Sequence, residues 1–288
     1  MHDGLLPAII LSKKLKNKNF YNFNKFINVN FRLYSINNLN NKINSEYIQQ
    51  FFVGLLEGDG CISVDKPKTY KNVRVRVFIS LLNLEKNVSM LNLIKNTIGG
   101  RVVIERKNSY VTWIASNKSD LLKVFAILAK YPLLTTRKQC QLEFVKKCLI
   151  NPASENFHED RNNKYLEQNK FTPNILSLPF YFKPWLSGFI EAEGNFSLVY
   201  HTNGKIRKIS FSIGQNTDKF ILEMIKFYLE SSHTITEDKN NPGKFKHYRV
   251  SIYGAKSRLI LKNHFLEYPL LGNKSISFDK FISALPSL

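Results

Sequence analysis

Two stretches of the chain alternate apolar and polar side chains one residue at a time. Within residues 61–80, Ile62 and Val64, then Val73, Val75, Val77 and Ile79, recur at every second position, with Cys61, Ser63, Asp65, Arg74, Arg76 and Ser80 between them. Within residues 195–213, Phe196, Leu198, Ile209, Phe211 and Ile213 are interleaved with Asn195, Ser197, His201, Lys208, Ser210 and Ser212. A period of two predicts strands with one face in a core and the other turned outward. Each stretch follows an apolar run too long for a strand. The first, residues 45–57, reads as a helix with Ser45 as its N-cap, and Pro184 opens the equivalent helix later in the chain. Residues 88–98 read as a helix stopped by Gly99-Gly100. Strands at 101–104 and 110–115 and helices at 118–130 and 138–149 follow. The order is αββαββα, and it recurs in the second half.

The recurrence is a true internal repeat. Phe52-Val53-Gly54-Leu55-Leu56-Glu57-Gly58-Asp59-Gly60 matches Leu186-Ser187-Gly188-Phe189-Ile190-Glu191-Ala192-Glu193-Gly194 position by position. Tyr131-Pro132-Leu133-Leu134 likewise matches Tyr268-Pro269-Leu270-Leu271. Ordered matches at nearly constant spacing predict two copies of one α+β unit. Residues 45–150 form the first and 180–288 the second. Residues 151–179, polar and carrying Pro152, Pro173 and Pro179, read as a linker. Residues 1–44, with eleven Asn and little periodicity, read as a poorly ordered extension.

Charge narrows the partners. The chain carries 42 Lys+Arg against 22 Asp+Glu, a formal net charge of +20, which points to a polyanion, nucleic acid first. Apolar runs fall far short of a membrane span. Three cysteines without a C-x-x-C pair support neither a disulfide framework nor a zinc site.

The repeated segment carries the chemistry. Gly54 and Gly58, like Gly188 and Ala192, lie four residues apart on one helix face, so two such helices can pack backbone to backbone. That accounts for the small residues but not for the acids. Glu57, Asp59, Glu191 and Glu193 stand at the helix C-terminal ends, where the dipole is already negative. Two packed helices would bring Asp59 and Glu193 together, an arrangement that makes sense with a divalent cation between them. Oxygen ligands that also meet phosphate suit Mg²⁺.

Taken together, FVGLLEGDG and LSGFIEAEG resemble the two motifs of single-chain LAGLIDADG homing endonucleases, a likeness that covers residues 45–288. The resemblance implies motif helices at the interface of two pseudo-symmetric αββαββα repeats, with the sheets forming a DNA-binding saddle. It implies Asp59 and Glu193 as catalytic, metal-binding acids, with Glu57 and Glu191 structural. It also implies active-site cations at Arg137 and Lys274 and a water-positioning residue at Gln215, whose counterpart is Leu81. The outward set Ser63, Arg74, Arg76, Asn195, Ser197, His201, Lys208, Ser210 and Ser212 would contact DNA. With both half-sites in one chain, a monomer is expected.

The function this implies is Mg²⁺-dependent, site-specific cleavage of duplex DNA, promoting intron homing. A rival is an intron maturase, an mRNA-splicing factor that binds its host intron RNA on the same fold. A DNA-binding regulator without catalysis would not need the acids. Arg32-Leu33-Tyr34-Ser35 resembles a mitochondrial matrix-protease site, and residues with A/T-rich codons are abundant, so a mitochondrial setting is expected. Translated intron sequence is the rival account of residues 1–44.

Overall fold

Helix α1 (Ser45–Asp59) runs directly into strand β1 (Gly60–Asp65), which pairs antiparallel with β2 (Arg74–Leu82). The computed structural model describes residues 43–67, 73–172, 177–237 and 246–285; the presequence-like segment and Pro173 lie outside them. Helix α2 (Glu85–Ile98), strands β3 (Arg101–Glu105) and β4 (Tyr110–Ala115), and helices α3 (Lys118–Lys130) and α4 (Thr136–Ile150) complete the first repeat. Its sheet has the order β1-β2-β4-β3.

The second repeat runs α6 (Phe182–Glu193), β5 (Gly194–Tyr200), β6 (Ile206–Asn216), α7 (Lys219–Tyr228), β7 (Thr236–Glu237), β8 (His247–Ile252), α8 (Ala255–Glu267) and α9 (Lys274–Ser283). Its sheet repeats the topology as β5-β6-β8-β7. The described residues from Ser45 onward form one compact unit because α1 and α6 pack along each other at its centre. Among the described residues no helix is long and apolar enough to cross a membrane.

Alternation placed most of the strand faces; Val73, Leu198 and Ile209, expected inward, are only half-buried. Ile62, Val64, Val75, Val77 and Ile79 are buried, joined by Val111 and Trp113 of β4. Trp113 meets Phe52 of α1 edge-on, with ring centroids 5.0 Å apart. In the second repeat Phe196, Phe211 and Ile213 are buried with Val250 and Ile252 of β8.

Helix α1 starts at Ser45, as expected, and Ser45 Oγ accepts from Gln49 Nε2 at 3.3 Å. The start of its counterpart differs from expectation. Helix α6 starts at Phe182, so Pro184 lies in the first turn, where its missing N–H costs no intrahelical bond.

The connecting stretch is also more than a polar tether. It holds α5 (Phe157–Asn163) and a 3-10 turn (Gln168–Phe171). Phe157 is buried against Phe144 of α4, ring centroids 5.6 Å apart, and Gln168 Nε2 donates to Thr136 Oγ1 at 2.7 Å. A few well-placed contacts anchor this stretch although its composition is polar.

Candidate active site

The small residues of the two motifs are reciprocal. A Cβ on Gly54 would collide with the carbonyl oxygen of Trp185 and lie 2.8 Å from the amide nitrogen of Phe189. One on Gly188 would collide with the carbonyl oxygen of Phe51 and lie 2.8 Å from the nitrogen of Leu55. The two backbones therefore touch at one crossing, related by a pseudo-twofold axis. One turn later, Gly58 faces the Cβ of Ala192. There the close approach has room for one methyl group, and the second repeat supplies it.

The earlier motif acids are bonded inward. Glu57 is buried, and its carboxylate accepts from the amides of Leu134 (2.9 Å) and Thr135 and from Trp185 Nε1 (2.8 Å) of the other repeat. Glu191 accepts from the amides of Gly272 (3.1 Å) and Lys274 (2.9 Å). Burial raises both pKa values and these donors oppose it. The two acids thus tie each motif helix to the backbone leading into α4 and α9. The Tyr-Pro-Leu-Leu segments are tied across the repeats as well. Tyr47 OH donates to the carbonyl of Pro269, and Tyr181 OH to that of Pro132.

Asp59 and Glu193 are the last residues of α1 and α6. A methyl group on Gly58 would lie 3.2 Å from Cγ and 3.5 Å from Oε1 of Glu193. The Glu193 side chain therefore runs beside the turn that ends in Asp59. Both acids keep open surface, yet enough water is displaced around them to push both carboxyls above their ordinary values. The negative charge of Asp59 adds to the rise at Glu193, while Lys274 and Lys138 oppose it at both acids.

The cations are where the structure departs from the sequence match. Lys274 reaches the end of α6, where its Nζ donates to the carbonyl of Ala192 at 3.4 Å. Arg137 does not: it is exposed, and its guanidinium lies over the ring of Tyr165 at 4.9 Å. The neighbouring Lys138 is buried and donates from Nζ to the carbonyl of Gly60, directly after Asp59. Consecutive residues on a helix point about 100° apart, so a match by fixed offset selected the residue on the wrong face of α4. Neither motif helix has a basic residue in its own last turn. Lys138 and Lys274 bring positive charge to those carbonyl ends.

Ile213 pairs with Gly194, so Gln215 lies two residues past the start of β5, near the end of α6. Leu81 occupies the equivalent place beyond the Gly60–Ile79 pair. Of the outward set, Ser63, Arg74, Arg76, Asn195, Ser197, His201 and Lys208 retain exposed surface. Arg76 pairs with Asp65 at 2.5 Å. Ser210 and Ser212 do not stay open as expected. They are buried, and Asn195 Nδ2 lies 3.5 Å from Ser212 Oγ. The register adds three residues to the outer faces. Arg101 stands in line with Ile114 and Phe78, Arg249 is paired with Gly214, and Ser251 with Ser212. The alternation of Val250 and Ile252 would have revealed the last two.

Comparison with known proteins then decides the family. The LAGLIDADG endonuclease family model matches residues 52–148 and again 186–285. The chain belongs to the LAGLIDADG endonuclease family. Among relatives of this LAGLIDADG chain, a protein named probable intron-encoded endonuclease aI3 from Dictyostelium citrinum is 37% identical over 247 residues, covering 83% of this chain and 96% of that one. A Debaryomyces hansenii protein of the same name is 34% identical over 287 residues, covering 85% of this chain and 40% of that one. The chain thus spans well under half of the Debaryomyces relative. Among solved structures, the LAGLIDADG homing endonuclease I-LtrWI, bound to target DNA, shares the fold with a TM-score of 0.65 at 21% identity, over 83% of this chain and 90% of that one.

Proposed function

We propose that this LAGLIDADG chain acts as a monomer that cuts both strands of a specific duplex DNA site, with Mg²⁺ held by Asp59 and Glu193. The observation that carries the reading is the meeting of these two acids at the ends of backbone-packed helices, with Lys138 and Lys274 beside both.

The donor set suits the ion. Among the described residues no group of three or more His, Cys, Asp or Glu comes together. Two carboxylates of raised pKa are present, and they are hard oxygen ligands. Mg²⁺ is commonly bound through one or two carboxylates, its other positions going to water and substrate phosphate. When bound, the metal would supply charge stabilisation at the phosphodiester and a more acidic water.

The chain's own residues do the rest. Lys138 and Lys274 offset charge at the acids and at the phosphate. Gln215 orients water near Glu193, and Leu81 leaves the other side without that polar group, so the two strand-cutting sites are not equivalent. Arg74, Arg76, Arg101, Lys208 and Arg249 bring positive charge to the outer sheet faces. With Ser63, Asn195, Ser197 and His201 they suit phosphate and base-edge contacts in a major groove. Arg137, turned away over Tyr165, belongs with the surface cations. An RNA-splicing role requires neither acid, and no feature of the site favours it over cleavage.

Relatives named as intron-encoded endonucleases support a gene lacking the intron as the natural target, and the abundance of residues with A/T-rich codons supports an organelle genome as the setting. Incubation with Mg²⁺ and DNA spanning that uninterrupted sequence should give one double-strand break; binding without any nick under single-turnover conditions would overturn the reading. Affinity should also fall about 10³-fold or more between about 50 and 200 mM salt, as phosphate contacts release counterions. Titration at four or more salt concentrations checks this, and a flat response would argue against an extended basic interface.

A further inference from the structure

Asp218 stands at the N-cap of α7, a position where Asp ordinarily bonds the amides of its own helix. Its side chain makes no such bond. It is buried and crosses to the first repeat, where Thr136 donates to it twice, from its amide at 2.9 Å and from its hydroxyl. Gln168 of the connecting stretch donates in turn to that hydroxyl. Thr136 is the first residue of α4, two positions before Lys138. The turn that presents Asp218 is itself constrained. Thr217 has φ +67, an uncommon conformation for a β-branched residue, and its amide donates to the carbonyl of Lys246 at 2.8 Å.

The other side has a counterpart. Asn87 of α2, also buried, accepts from the amide of Asn273 at 3.0 Å and donates to the carbonyl of Leu82 at 3.0 Å. Asn273 directly precedes Lys274 at the start of α9. In both cases a polar side chain just beyond the second strand of one repeat holds the helix start that carries the lysine of the other. These bonds satisfy helix-start amides that would otherwise lack a partner, but a local cap could have done so. Crossing the interface is what needs a further account.

We propose that Asp218 and Asn87 are positioning residues: each repeat, through a side chain at the start of the helix that follows its second strand, sets the active-site lysine of the other. Asp218 governs Lys138, which bonds the carbonyl of Gly60 at the end of α1, and Asn87 governs Lys274, which bonds the carbonyl of Ala192 at the end of α6. The inference rests on the nuclease reading for its rate consequence but not for its geometry. A strand seated correctly on one half-site would thereby complete the cation of the other, linking recognition to cleavage.

The test resolves the two DNA strands. Asp218→Ala should slow cleavage of one strand by about tenfold or more and leave the other near its normal rate. Asn87→Ala should produce the opposite bias, and Asp218→Asn, which keeps an acceptor for the Thr136 amide, should restore the normal ratio. A second arm needs no cleavage. Amine-directed acylation read by mass spectrometry should rise at Lys138 in Asp218→Ala and at Lys274 in Asn87→Ala, without the converse. If Asp218→Ala does not fold, Thr136→Val and Asn87→Ala carry both arms. Parallel slowing of both strands, unchanged lysine labelling, or an Asp218→Asn variant as impaired as Asp218→Ala would each overturn the proposal. Should the unaltered protein bind DNA and never cut it, the nuclease reading falls while the labelling arm still decides the positioning.

Discussion

Asp59→Asn and Glu193→Gln should each lower double-strand cleavage by about 10³-fold or more, with specific DNA binding retained, because each removes a charged ligand for the metal and keeps the side chain's size. Single-turnover cleavage beside an equilibrium binding assay separates the two effects. Full activity of the double variant would end the catalytic assignment.

The pH dependence follows from the same two groups. Packing, and for Glu193 the charge of Asp59, raise their pKa values. Activity should therefore fade on acidification at a higher pH than an ordinary carboxylate would set, with Mg²⁺ in excess moving the limb to lower pH. For stability the sign is opposite. A carboxyl whose folded pKa lies above its unfolded value favours folding below the unfolded value, and that contribution is lost as pH rises through the folded one. At neutral pH, without metal, the ionised pair works against the fold. The neutral variants should then melt higher, by about 2–4 °C for each kcal/mol relieved. A lower melting temperature for both would instead show the acids to be supports of the helix interface.

Gly188→Val should abolish folding, or cost at least about 3–5 kcal/mol in urea denaturation, since overpacking at a rigid contact has no cheap relief. The added Cβ would meet the backbone of Phe51 and Leu55, which cannot rotate away as a side chain can. Only separation of α1 and α6 would make room, and it would expose Phe51, Phe52, Leu55, Trp185 and Phe189, all fully buried. Gly58 offers a graded control. Gly58→Ala brings a methyl group against that of Ala192, and exchanging the two, Gly58→Ala with Ala192→Gly, should recover much of the loss. A folded, active Gly188→Val protein would show that the helices do not cross as described.

The sequence by itself determined the two repeats, their main elements and most of the inward faces of the first two strands of each sheet, and it placed Asp59 and Glu193 at the ends of paired helices. Each of these is written in spacing. Strands repeat every second residue, helix faces every third or fourth, and the motif copies align without a gap. A small residue at i and i+4 already states how closely a partner can come.

Only the tertiary structure decided which cation belongs to the first acid. Arg137 and Lys138 are both cations and adjacent, and the choice turns on the rotation of α4, which Glu57 and Asp218 fix from outside that helix through the amides of Thr135 and Thr136. The burial of Ser210 and Ser212 depends on the strands that flank β6, and the anchoring of the connecting stretch on Phe157 and Gln168 finding partners on α4. Asp218 read alone is an ordinary N-cap; its bond to Thr136 spans 82 residues, and that of Asn87 to Asn273 spans 186. Periodicity reports which way a side chain faces within its own element. It carries no information on what another element, brought near by the chain's course in space, has set opposite to it.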